Sequence, residues 1–395
     1  VQPALVVQVQ FTEWTDEGRL RHPVFLGVRD DKAARDVHRE SGLRRTRALE
    51  PPSEPVDTRP PAARRARASR PVRLPRIDVT GGELVEALHA LEQAGRDGRV
   101  VVDGRELPVT NLRKVFWPAA GFTKGDLLRY YARIAPALLP VVDGRPLVMK
   151  RFPYGIDAEP FYQHRAEQAP AGVRIEAVAS ADGRPQFVGG NPLTLLYMAQ
   201  LAAISQDPWS SRLETLDAAD YGIIDLDPPA DVPFGRVLDV ARWVRDELAA
   251  LGLDGFPKTS GADGLHIVVP MPDGTPYEAA RLVCQIVGEL VAHRHPGHAT
   301  VERSIRARGA RIYIDCLQNV EGRTVACAYS ARASTWGGVS TPLTWDEVDR
   351  GVAREDFTLA SVPERVAERG DLWAACRRHP GVDLTALSRQ GESGP

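Results

Sequence analysis

The sequence predicts a mixed α/β (α+β) fold, because helix-like and strand-like segments alternate through the middle of the chain. Three short segments rich in β-branched residues, each bounded by Gly or Pro, predict strands over 221–227, 264–270 and 311–317. Three amphipathic segments predict helices, since their apolar residues recur every three or four positions. With 395 residues and 43% hydrophobic content, the chain can bury sizeable cores in two or three domains.

Each of the three helices has a recognisable pattern at its start or along its length. Thr123 is a predicted N-cap, with Asp126 at the third helical position. The second helix follows an apolar stripe over 237–248. The third is predicted to begin at "TPYE", where Thr275 caps the helix and Pro276 occupies the first turn.

Changes in composition divide the chain into segments. Residues 5–12 alternate like a half-buried strand, and a stretch rich in Arg, Pro and Ala follows with almost nothing large to bury. This stretch predicts a flexible linker, either a solvated spacer or a tether that contacts DNA phosphates. The predicted segments are a strand-rich piece (1–42), a basic linker (43–77), a connecting segment (78–107), an α/β domain (108–377) and a flexible tail (378–395).

The bulk properties exclude several classes of protein. A net charge of -2 argues against a uniformly basic nucleic-acid binder. No apolar run approaches the roughly 18 residues that span a bilayer, and the N-terminus lacks a signal-peptide pattern, so we expect a cytoplasmic protein without membrane contact. The four cysteines are scattered and predict neither a zinc site nor a disulfide framework, and we expect them to be reduced and mostly buried.

The stretch "IIDLDPP" places two carboxylates at the end of a strand. Asp225 and Asp227 share one face of that strand, where their repulsion is costly unless a cation lies between them. Asp315 in "RIYIDCL" presents a third carboxylate from another strand. Hard divalent cations prefer oxygen ligands, so the pattern predicts a two-metal site suited to phosphoryl or nucleotidyl transfer. The alternative is a strand end with solvated turn acids.

The stretch "KTSGADGLHI" predicts a phosphate-binding turn followed by a strand. Ser260, Gly261 and Gly264 form a turn of small residues, whose free backbone N–H groups could cradle phosphates. His266 lies on the following strand, where it could contact a triphosphate. The alternative is a histidine satisfied within the core.

These stretches resemble the polymerase domain of bacterial DNA ligase D, a member of the archaeo-eukaryotic primase superfamily used in non-homologous end joining. The resemblance covers about residues 108–377 and rests on six ordered blocks: "LRKVFWPAAGFTKGDLLRYY", "LVMKRFPYGIDAEPFYQ", "GIIDLDPP", "KTSGADGLHI", "RIYIDCLQN" and "YSARASTWGGVSTPLTW". It implies a primase-type core with mixed sheets around a catalytic cleft. It also implies polymerase activity at DNA breaks.

The resemblance assigns expected roles to particular residues. The metal ligands would be Asp225, Asp227 and Asp315, holding two Mn or Mg ions, with His266 near the incoming nucleotide. The triphosphate or sugar contacts would be Lys150, Ser260, Gln318 and Arg332, with Arg308 as a further candidate. Phe161 and Tyr162 match aromatics that stack on a base or the template. The 5′-phosphate of the downstream DNA end would be held by Asn111, Lys114 and Lys124.

The position of Lys124 supports the last assignment on physical grounds. Lys124 follows the predicted cap Thr123, so its charge lies in the first turn of a helix, where the helix dipole disfavours a cation. A phosphate bound to free first-turn N–H groups would resolve that conflict. The alternative is an exposed lysine that costs a few tenths of a kcal/mol.

Residues 5 to about 40 resemble a second family, the end of the OB domain of an ATP-dependent DNA ligase. The resemblance includes that family's last motif at Arg29, Asp30 and Lys32. The ligase nucleophile motif KxDG is absent from the sequence, so we expect no ligation by this chain alone. The chain is therefore interpreted as the ligase end of a ligase–polymerase fusion, a partial OB fold followed by linker and polymerase.

Two positions depart from the polymerase family's pattern. Asp263 replaces a lysine that faces the triphosphate, and Asp207 stands where the family tends to carry histidine. At about 6 Å and an effective dielectric of roughly 20, each charge–charge interaction amounts to about 2–3 kcal/mol. The exchange at Asp263 is therefore expected to weaken nucleotide binding unless another group compensates.

The leading hypothesis is a template-dependent nucleotidyltransferase that adds NTP or dNTP units to a 3′-OH at a break. The resemblance implies a preference for ribonucleotides, a nucleoid-associated location, a Ku-type end-binding partner and a ligase domain in the same parent protein. A first alternative is a catalytically weakened module that binds 5′-phosphorylated DNA ends. A second is a primase that starts strands without a primer.

Overall fold

The computed structural model describes residues 7–10, 13–14, 20–21, 24–28, 82–163, 169–178 and 183–382. The chain divides into two compact units, Val1–Ser69 and Arg70–Pro395. The predicted linker over 43–77 and the tail beyond residue 382 lie outside the described residues.

The first unit contains two antiparallel strand pairs. Its strands are β1 (Val7–Gln10), β2 (Glu13–Trp14), β3 (Leu20–Arg21) and β4 (Val24–Val28). β1 pairs with β4, with an irregularity between Gln8 and Val9, and β2 pairs with β3. The strand predicted at the start of the chain is confirmed over its central four residues.

The second unit alternates helices and strands. Its helices are α1 (Gly82–Gln93), α2 (Lys124–Val142), α3 (Pro192–Gln200), α4 (Phe234–Ala250), α5 (Tyr277–Arg294), α6 (Ile305–Arg308), α7 (Trp345–Arg350), α8 (Ser361–Arg369) and α9 (Ala374–Arg377). Its strands are β5 (Gly98–Val102), β6 (Arg105–Val109), β7 (Val115–Trp117), β8 (Phe122–Thr123), β9 (Pro146–Arg151), β10 (Phe161–Gln163), β11 (Ile175–Val178), β12 (Arg184–Val188), β13 (Asp207–Pro208), β14 (Tyr221–Asp227), β15 (Phe256–Thr259), β16 (Leu265–Pro270), β17 (Ala299–Thr300) and β18 (Ile312–Asp315). The mixed fold is confirmed.

The folded body extends further toward the N-terminus than the sequence analysis placed it. Residues 78–107 were predicted only to connect, yet they contain α1 and most of the β5–β6 hairpin. Leu88, Val100 and Leu107 are almost fully buried in the same core as the rest of the unit. The second unit therefore includes α1, and a domain that started at residue 108 would lack these buried core residues.

Two sheets position the site. In the first, the strand order is β15-β16-β14-β18-β17, so β14 is central, and α4 and α5 pack against it. β14 runs antiparallel to both of its neighbours. In the second sheet the order is β10-β9-β12-β11, and β13 also pairs with β9. The predicted strand 221–227 is confirmed over its full length, and the other two are confirmed with shorter bounds.

All three predicted helices are confirmed, but only one of the two predicted N-caps is. The side chain of Thr123 accepts a hydrogen bond from the Asp126 N–H, which confirms the predicted N-cap of α2. The stripe over 237–248 is confirmed as α4. The predicted cap of α5 is wrong, because the Thr275 hydroxyl donates to the Pro272 carbonyl at 2.7 Å. Pro276 is the N-cap residue instead, and no side chain caps this helix.

Two predictions from the bulk composition can be compared with the described residues. All four cysteines are free and buried, as predicted. Among the described helices, none is both long and apolar enough to cross a membrane.

Candidate active site

The central strand of the first sheet brings the predicted acidic residues together. Asp225 of β14 lies directly opposite His266 of β16 on one side and Asp315 of β18 on the other. Asp227 lies opposite Tyr313 of β18. Direct cross-strand neighbours have Cβ atoms about 4.5–5.5 Å apart, so the carboxyls of Asp225 and Asp315 are adjacent.

The surroundings of Asp225 and Asp227 disfavour the charged form of both carboxyls. Burial raises the pKa of Asp225 well above its usual range, and the charges of Asp227 and Asp315 raise it further. Desolvation and the charge of Asp315 likewise raise the pKa of Asp227. Oδ1 of Asp225 has no hydrogen-bond partner among the described residues, although Nε2 of His266 lies 3.3 Å away. A buried carboxylate oxygen without a donor is a ligand position that a cation fits.

The carboxyl of Asp315 is held by its own loop. Oδ1 accepts a hydrogen bond from the Leu317 N–H at 2.8 Å, and Oδ2 accepts one from Gln318 Nε2 at 3.3 Å. Within the described parts of the chain, no three His, Cys, Asp or Glu side chains converge closely enough to hold a metal ion. The strands thus place the three aspartates side by side, but their oxygens are not gathered into a finished coordination shell.

The predicted histidine is buried beside a lysine that sequence reasoning missed. His266 is 2% exposed, and burial followed by the charges of Lys258 and Arg332 lowers its pKa well below its usual range. Lys258, on β15, contacts Nδ1 of His266 through its Nζ at 2.5 Å. The available signal was a lysine in the predicted turn-and-strand stretch "KTSGADGLHI".

A cavity of about 580 Å³ opens in front of these residues and receives side chains from both sheets. Four of the predicted nucleotide-binding residues line it: Lys150, Tyr162, Gln318 and Arg332. His266 and Asp225 form part of its wall. The cavity therefore joins Asp225 to a set of cations and an exposed aromatic side chain, which is the chemistry that a nucleoside triphosphate requires, whereas Asp227 and Asp315 do not line it.

The turn at Ser260 differs from the prediction. Its Oγ accepts hydrogen bonds from the N–H groups of Ala262 and Gly264, each at 3.1 Å, so those groups are not free to cradle phosphates. The Ser260 carbonyl accepts from Nη1 of Arg332 at 3.0 Å. Ser260 thus stabilises the turn and orients Arg332, and it does not itself line the cavity.

Two further predicted residues lie at the edge of the site. The Arg308 guanidinium is 3.6 Å from the centroid of the Tyr313 ring, and its Nε donates to the Glu302 carbonyl at 2.9 Å. Arg308 does not line the cavity, but its charge lowers the pKa of Asp227 against the larger effect of desolvation. Phe161 lies on β10 and is 46% exposed, next to Tyr162 at 61%. Both rings are therefore accessible for stacking.

The two departures from the family pattern each have a partner in the structure. Asp263 forms an ion pair with Arg354, whose guanidinium also lies 5.1 Å from the centroid of the Trp336 ring. Asp207 accepts a hydrogen bond from Ser205 Oγ at 2.5 Å, and burial raises its pKa. The negative charge of Asp263 is thus partly neutralised by a cation that sequence reasoning did not identify.

A second, smaller pocket of about 150 Å³ contains the three predicted 5′-phosphate residues. Asn111, Lys114 and Lys124 line it together with Arg151, a fourth polar side chain that the sequence analysis did not single out. Nζ of Lys124 donates to the Thr110 carbonyl at 2.9 Å. Burial lowers the pKa of Lys124 to about 8.

The N–H groups at the start of α2 are not free to bind an anion, contrary to the prediction. The backbone N–H of Lys124 donates to the Lys114 carbonyl at 2.8 Å, and that of Gly125 donates to the Leu112 carbonyl at 2.9 Å. The N–H of Asp126 donates to Oγ1 of Thr123. These first-turn donors are already used, so an anion in this pocket would be held by side chains rather than by the helix end.

Comparisons with known proteins show which family the chain belongs to. Residues 123–373 match the family described as the LigD primase-polymerase domain, and residues 1–32 match the C-terminal region of ATP-dependent DNA ligases. The chain belongs to the LigD primase-polymerase family. Both resemblances seen in the sequence are thereby confirmed.

The relatives are longer than this chain. The multifunctional non-homologous end joining DNA repair protein LigD of Mycobacterium tuberculosis is 32% identical over 279 residues, which cover 68% of this chain and 36% of the relative. The multifunctional non-homologous end joining protein LigD of Pseudomonas aeruginosa is 27% identical over 378 residues, covering 95% of this chain and 40% of the relative. The chain thus spans well under half the length of these two relatives.

A solved structure supports the fold. The polymerase domain of Mycobacterium tuberculosis ligase D, in complex with DNA, superposes with a TM-score of 0.63 at 30% identity. The match covers 69% of this chain and 98% of that structure. The described fold is therefore that of the primase-polymerase domain.

Proposed function

We propose that this chain is a DNA-repair polymerase that adds nucleotides to a 3′-OH at a double-strand break during non-homologous end joining. The observation that carries the proposal is the register of β14. It sets Asp225 between Asp315 and His266, at the wall of a cavity with cationic side chains. An electrostatically unsatisfied carboxylate pair next to a triphosphate-sized cavity is suited to nucleotidyl transfer.

The residues of the site divide into roles. Asp225, Asp227 and Asp315 would hold two divalent cations, Mn or Mg, which activate the 3′-hydroxyl and stabilise the leaving pyrophosphate when bound. The fit rests on the unpartnered Oδ1 of Asp225 and on the raised pKa values of Asp225 and Asp227. A cation bound between the two aspartates would offset the desolvation and the mutual repulsion that raise their pKa values.

The cavity cations would bind the triphosphate. Lys150 and Arg332 line the cavity, and Arg332 is oriented by its hydrogen bond to the Ser260 carbonyl. His266 would donate from its Nε2 toward the phosphates, and Gln318 would contact the nucleotide beside Asp315. Tyr162, with Phe161 beside it, would stack on a base.

The second pocket would select the downstream DNA end. Its side chains Asn111, Lys114, Lys124 and Arg151 supply three cationic groups within about 150 Å³, which suits a terminal 5′-phosphate. A terminal phosphate carries more charge than an internal one, so this pocket favours a break or gap over continuous duplex.

The wider setting of the activity is inferred from the family. We propose a preference for ribonucleotides, action beside a ligase domain of the same parent protein, cooperation with a Ku-type end-binding protein, and a location at the nucleoid. The match of residues 1–32 to a ligase C-terminal region supports the link to a ligase.

The test is single-nucleotide incorporation on a gapped duplex. The substrate carries either a 5′-phosphate or a 5′-hydroxyl at the downstream end, with Mn present and either NTP or dNTP. We expect incorporation by the natural chain, stimulation by the 5′-phosphate, faster use of NTP, and loss of incorporation in Asp227→Ala.

Equal inactivity of both proteins with all substrates would reject the polymerase and leave the DNA-end-binding alternative, which requires 5′-phosphate-dependent binding without extension. Products on single-stranded template without a primer would favour the primase alternative.

A further inference from the structure

A buried lysine next to His266 has no role in the proposed function described above. Lys258 of β15 is the direct cross-strand neighbour of His266 and is 2% exposed. Its Nζ contacts His266 Nδ1 at 2.5 Å, the Ala326 carbonyl at 2.8 Å and Ser340 Oγ at 2.7 Å. None of the ion pairs found among the described residues involves this lysine. A buried ammonium with only neutral acceptors is costly to keep.

The hydrogen bonds around Lys258 fix the direction of each donor. Ser340 Oγ donates its own hydrogen to the Thr259 carbonyl at 2.8 Å, so it accepts from Lys258. The Ala326 carbonyl can only accept. The third N–H of the ammonium then faces Nδ1 of His266. A ring nitrogen that accepts a hydrogen bond carries no hydrogen, so the neutral imidazole has its hydrogen on Nε2.

The other side of the ring faces the site. Nε2 of His266 lies 3.3 Å from Oδ1 of Asp225, and His266 lines the cavity. The contact with Oδ1 of Asp225 is not a hydrogen bond, so a hydrogen on Nε2 turns a positive edge toward Asp225 and remains available as a donor to an anionic ligand in the cavity. The opposite tautomer would present a lone pair to both, which is repulsive.

We propose that Lys258 is a positioning residue, which holds His266 in the Nε2–H tautomer so that its ring offers a hydrogen-bond donor to the phosphates of the bound nucleotide. The effect of this tautomer on catalysis rests on the proposed nucleotidyl transfer. The assignment of the tautomer rests on the hydrogen bonds alone. A methionine would fill nearly the same volume without the cost of a buried charge, so packing alone does not account for a lysine here. Desolvation lowers the pKa of Lys258 to about 7, so the ammonium form that donates to Nδ1 prevails below that pH.

The tautomer can be measured directly on the whole chain. Two-bond ¹H–¹⁵N correlation spectra of ¹⁵N-histidine-labelled protein distinguish a protonated from an unprotonated ring nitrogen, and His266→Gln identifies the signals of this ring. We expect Nε2–H in the natural chain and a mixed or reversed tautomer in Lys258→Met. Nδ1–H in the natural chain overturns the proposal without any variant. Unchanged Nε2–H in a folded Lys258→Met overturns it as well.

Kinetics then separate positioning from a merely structural role. We expect kcat/KM for nucleotide incorporation to fall about tenfold or more in Lys258→Met, the effect of losing one well-placed hydrogen bond. The double variant Lys258→Met/His266→Gln should be no slower than His266→Gln, because Lys258 acts through His266. Multiplicative losses in the double variant overturn the proposal.

Ser340→Ala is the matched control. It removes one acceptor of Lys258 but leaves the contact with Nδ1, so the Nε2–H tautomer should persist and kcat/KM should stay within about threefold of the natural chain. Loss of the tautomer in this variant would show that the surrounding packing, and not the Lys258 contact, sets the state of the ring. If the natural chain incorporates no nucleotide, the proposed function fails while the spectra still decide the tautomer.

Discussion

Glu347 and the aspartates of β14 are carboxylates whose pKa values are shifted in opposite directions. Glu347 of α7 accepts hydrogen bonds from Arg365 at 2.7 Å and from the Thr344 N–H at 2.9 Å, and it also pairs with Arg369. Burial opposes its charge, but the hydrogen bonds from Arg365 and Thr344 outweigh burial and bring the pKa of Glu347 down to about 2. The charge of Glu347 is therefore balanced by partners within the protein.

Among the described residues, no arginine forms an ion pair with Asp225 or Asp227 of β14. Burial and the neighbouring carboxylates raise the pKa of Asp225, and the opposing charges of Lys258 and Arg332 do not reverse that shift. The comparison shows that burial alone does not decide whether a carboxylate is stable. It depends on which charges surround the carboxylate, and the proposed cation would give Asp225 and Asp227 the positive partner that Glu347 has in Arg365 and Arg369.

The largest expected effect is on catalysis by the β14 cluster. Asp225→Asn should lower kcat for nucleotide incorporation at least a thousandfold, about 4 kcal/mol in the barrier, because a cation ligand is lost. The same change should leave the metal-free protein as stable or more stable, since it removes a buried charge that its neighbours repel. Incorporation assays and urea unfolding would check both. Activity within tenfold of the natural chain would contradict the comparison.

Glu347→Gln should have the reverse pattern, with stability lost and the chemistry retained in the folded fraction. The pKa of Glu347 lies at about 2 instead of 4.5, and at ~1.4 kcal/mol per unit this amounts to about 3 kcal/mol of stability at neutral pH. The pKa is depressed, so this stabilisation is present above pH 4.5 and is lost as the pH falls toward 2. Urea unfolding of both proteins between pH 3 and pH 7 would measure it.

The control is Asp349→Asn, which breaks an exposed ion pair with Arg245 at 2.9 Å. An exposed pair contributes at most about 1 kcal/mol. A difference between Glu347→Gln and the natural chain that does not shrink at low pH would show that charge is not its cause.

A smaller effect is expected at Asp263, where the cavity carries a negative charge. Asp263→Lys should tighten nucleotide binding about three- to tenfold, less than the bare charge reversal suggests, because Arg354 already neutralises part of the charge. Asp263→Asn should give part of that gain by releasing Arg354. Titrations with a nucleotide and Mn would measure both, and unchanged or weaker binding by Asp263→Lys would place this residue away from the triphosphate.

The smallest effect concerns the pocket for the DNA end. Burial lowers the pKa of Lys124 to about 8, so the lysine is charged below that pH and loses its charge above it. The preference for a 5′-phosphate over a 5′-hydroxyl should therefore decrease about threefold between pH 7 and pH 9. DNA-binding titrations at each pH would show it. Lys124→Gln should have a smaller preference with little dependence on pH, and an identical pH profile in this variant would exclude Lys124 as the titrating group.

The sequence was sufficient for features that are local or periodic. The N-cap at Thr123, the strand 221–227 and the shared face of Asp225 and Asp227 all follow from spacing along one segment. Recognition of the family then supplied the roles that spacing could not, and the structure brings Asp225, Asp315 and His266 side by side.

What the sequence could not predict depends on contacts between distant segments. The N–H groups at the start of α2 are used by the carbonyls of Lys114 and Leu112, which no local pattern reveals. Arg354 reaches Asp263 across 91 positions, so the compensation of that charge was invisible in the sequence. Lys258 is the first residue of the stretch "KTSGADGLHI", but only the pairing of β15 with β16 shows that it contacts His266.

The most direct test of the central claim is a Mn²⁺ titration of the metal-free chain, followed by electron paramagnetic resonance of free Mn²⁺. We expect Mn²⁺ binding by the natural chain and by Glu347→Gln in its folded state. We expect Asp225→Asn, Asp227→Asn and Asp315→Asn each to weaken that binding at least tenfold, because each removes a charged oxygen ligand. Binding that is unchanged in all three aspartate variants would contradict the claim that the acidic end of β14 is completed by a cation.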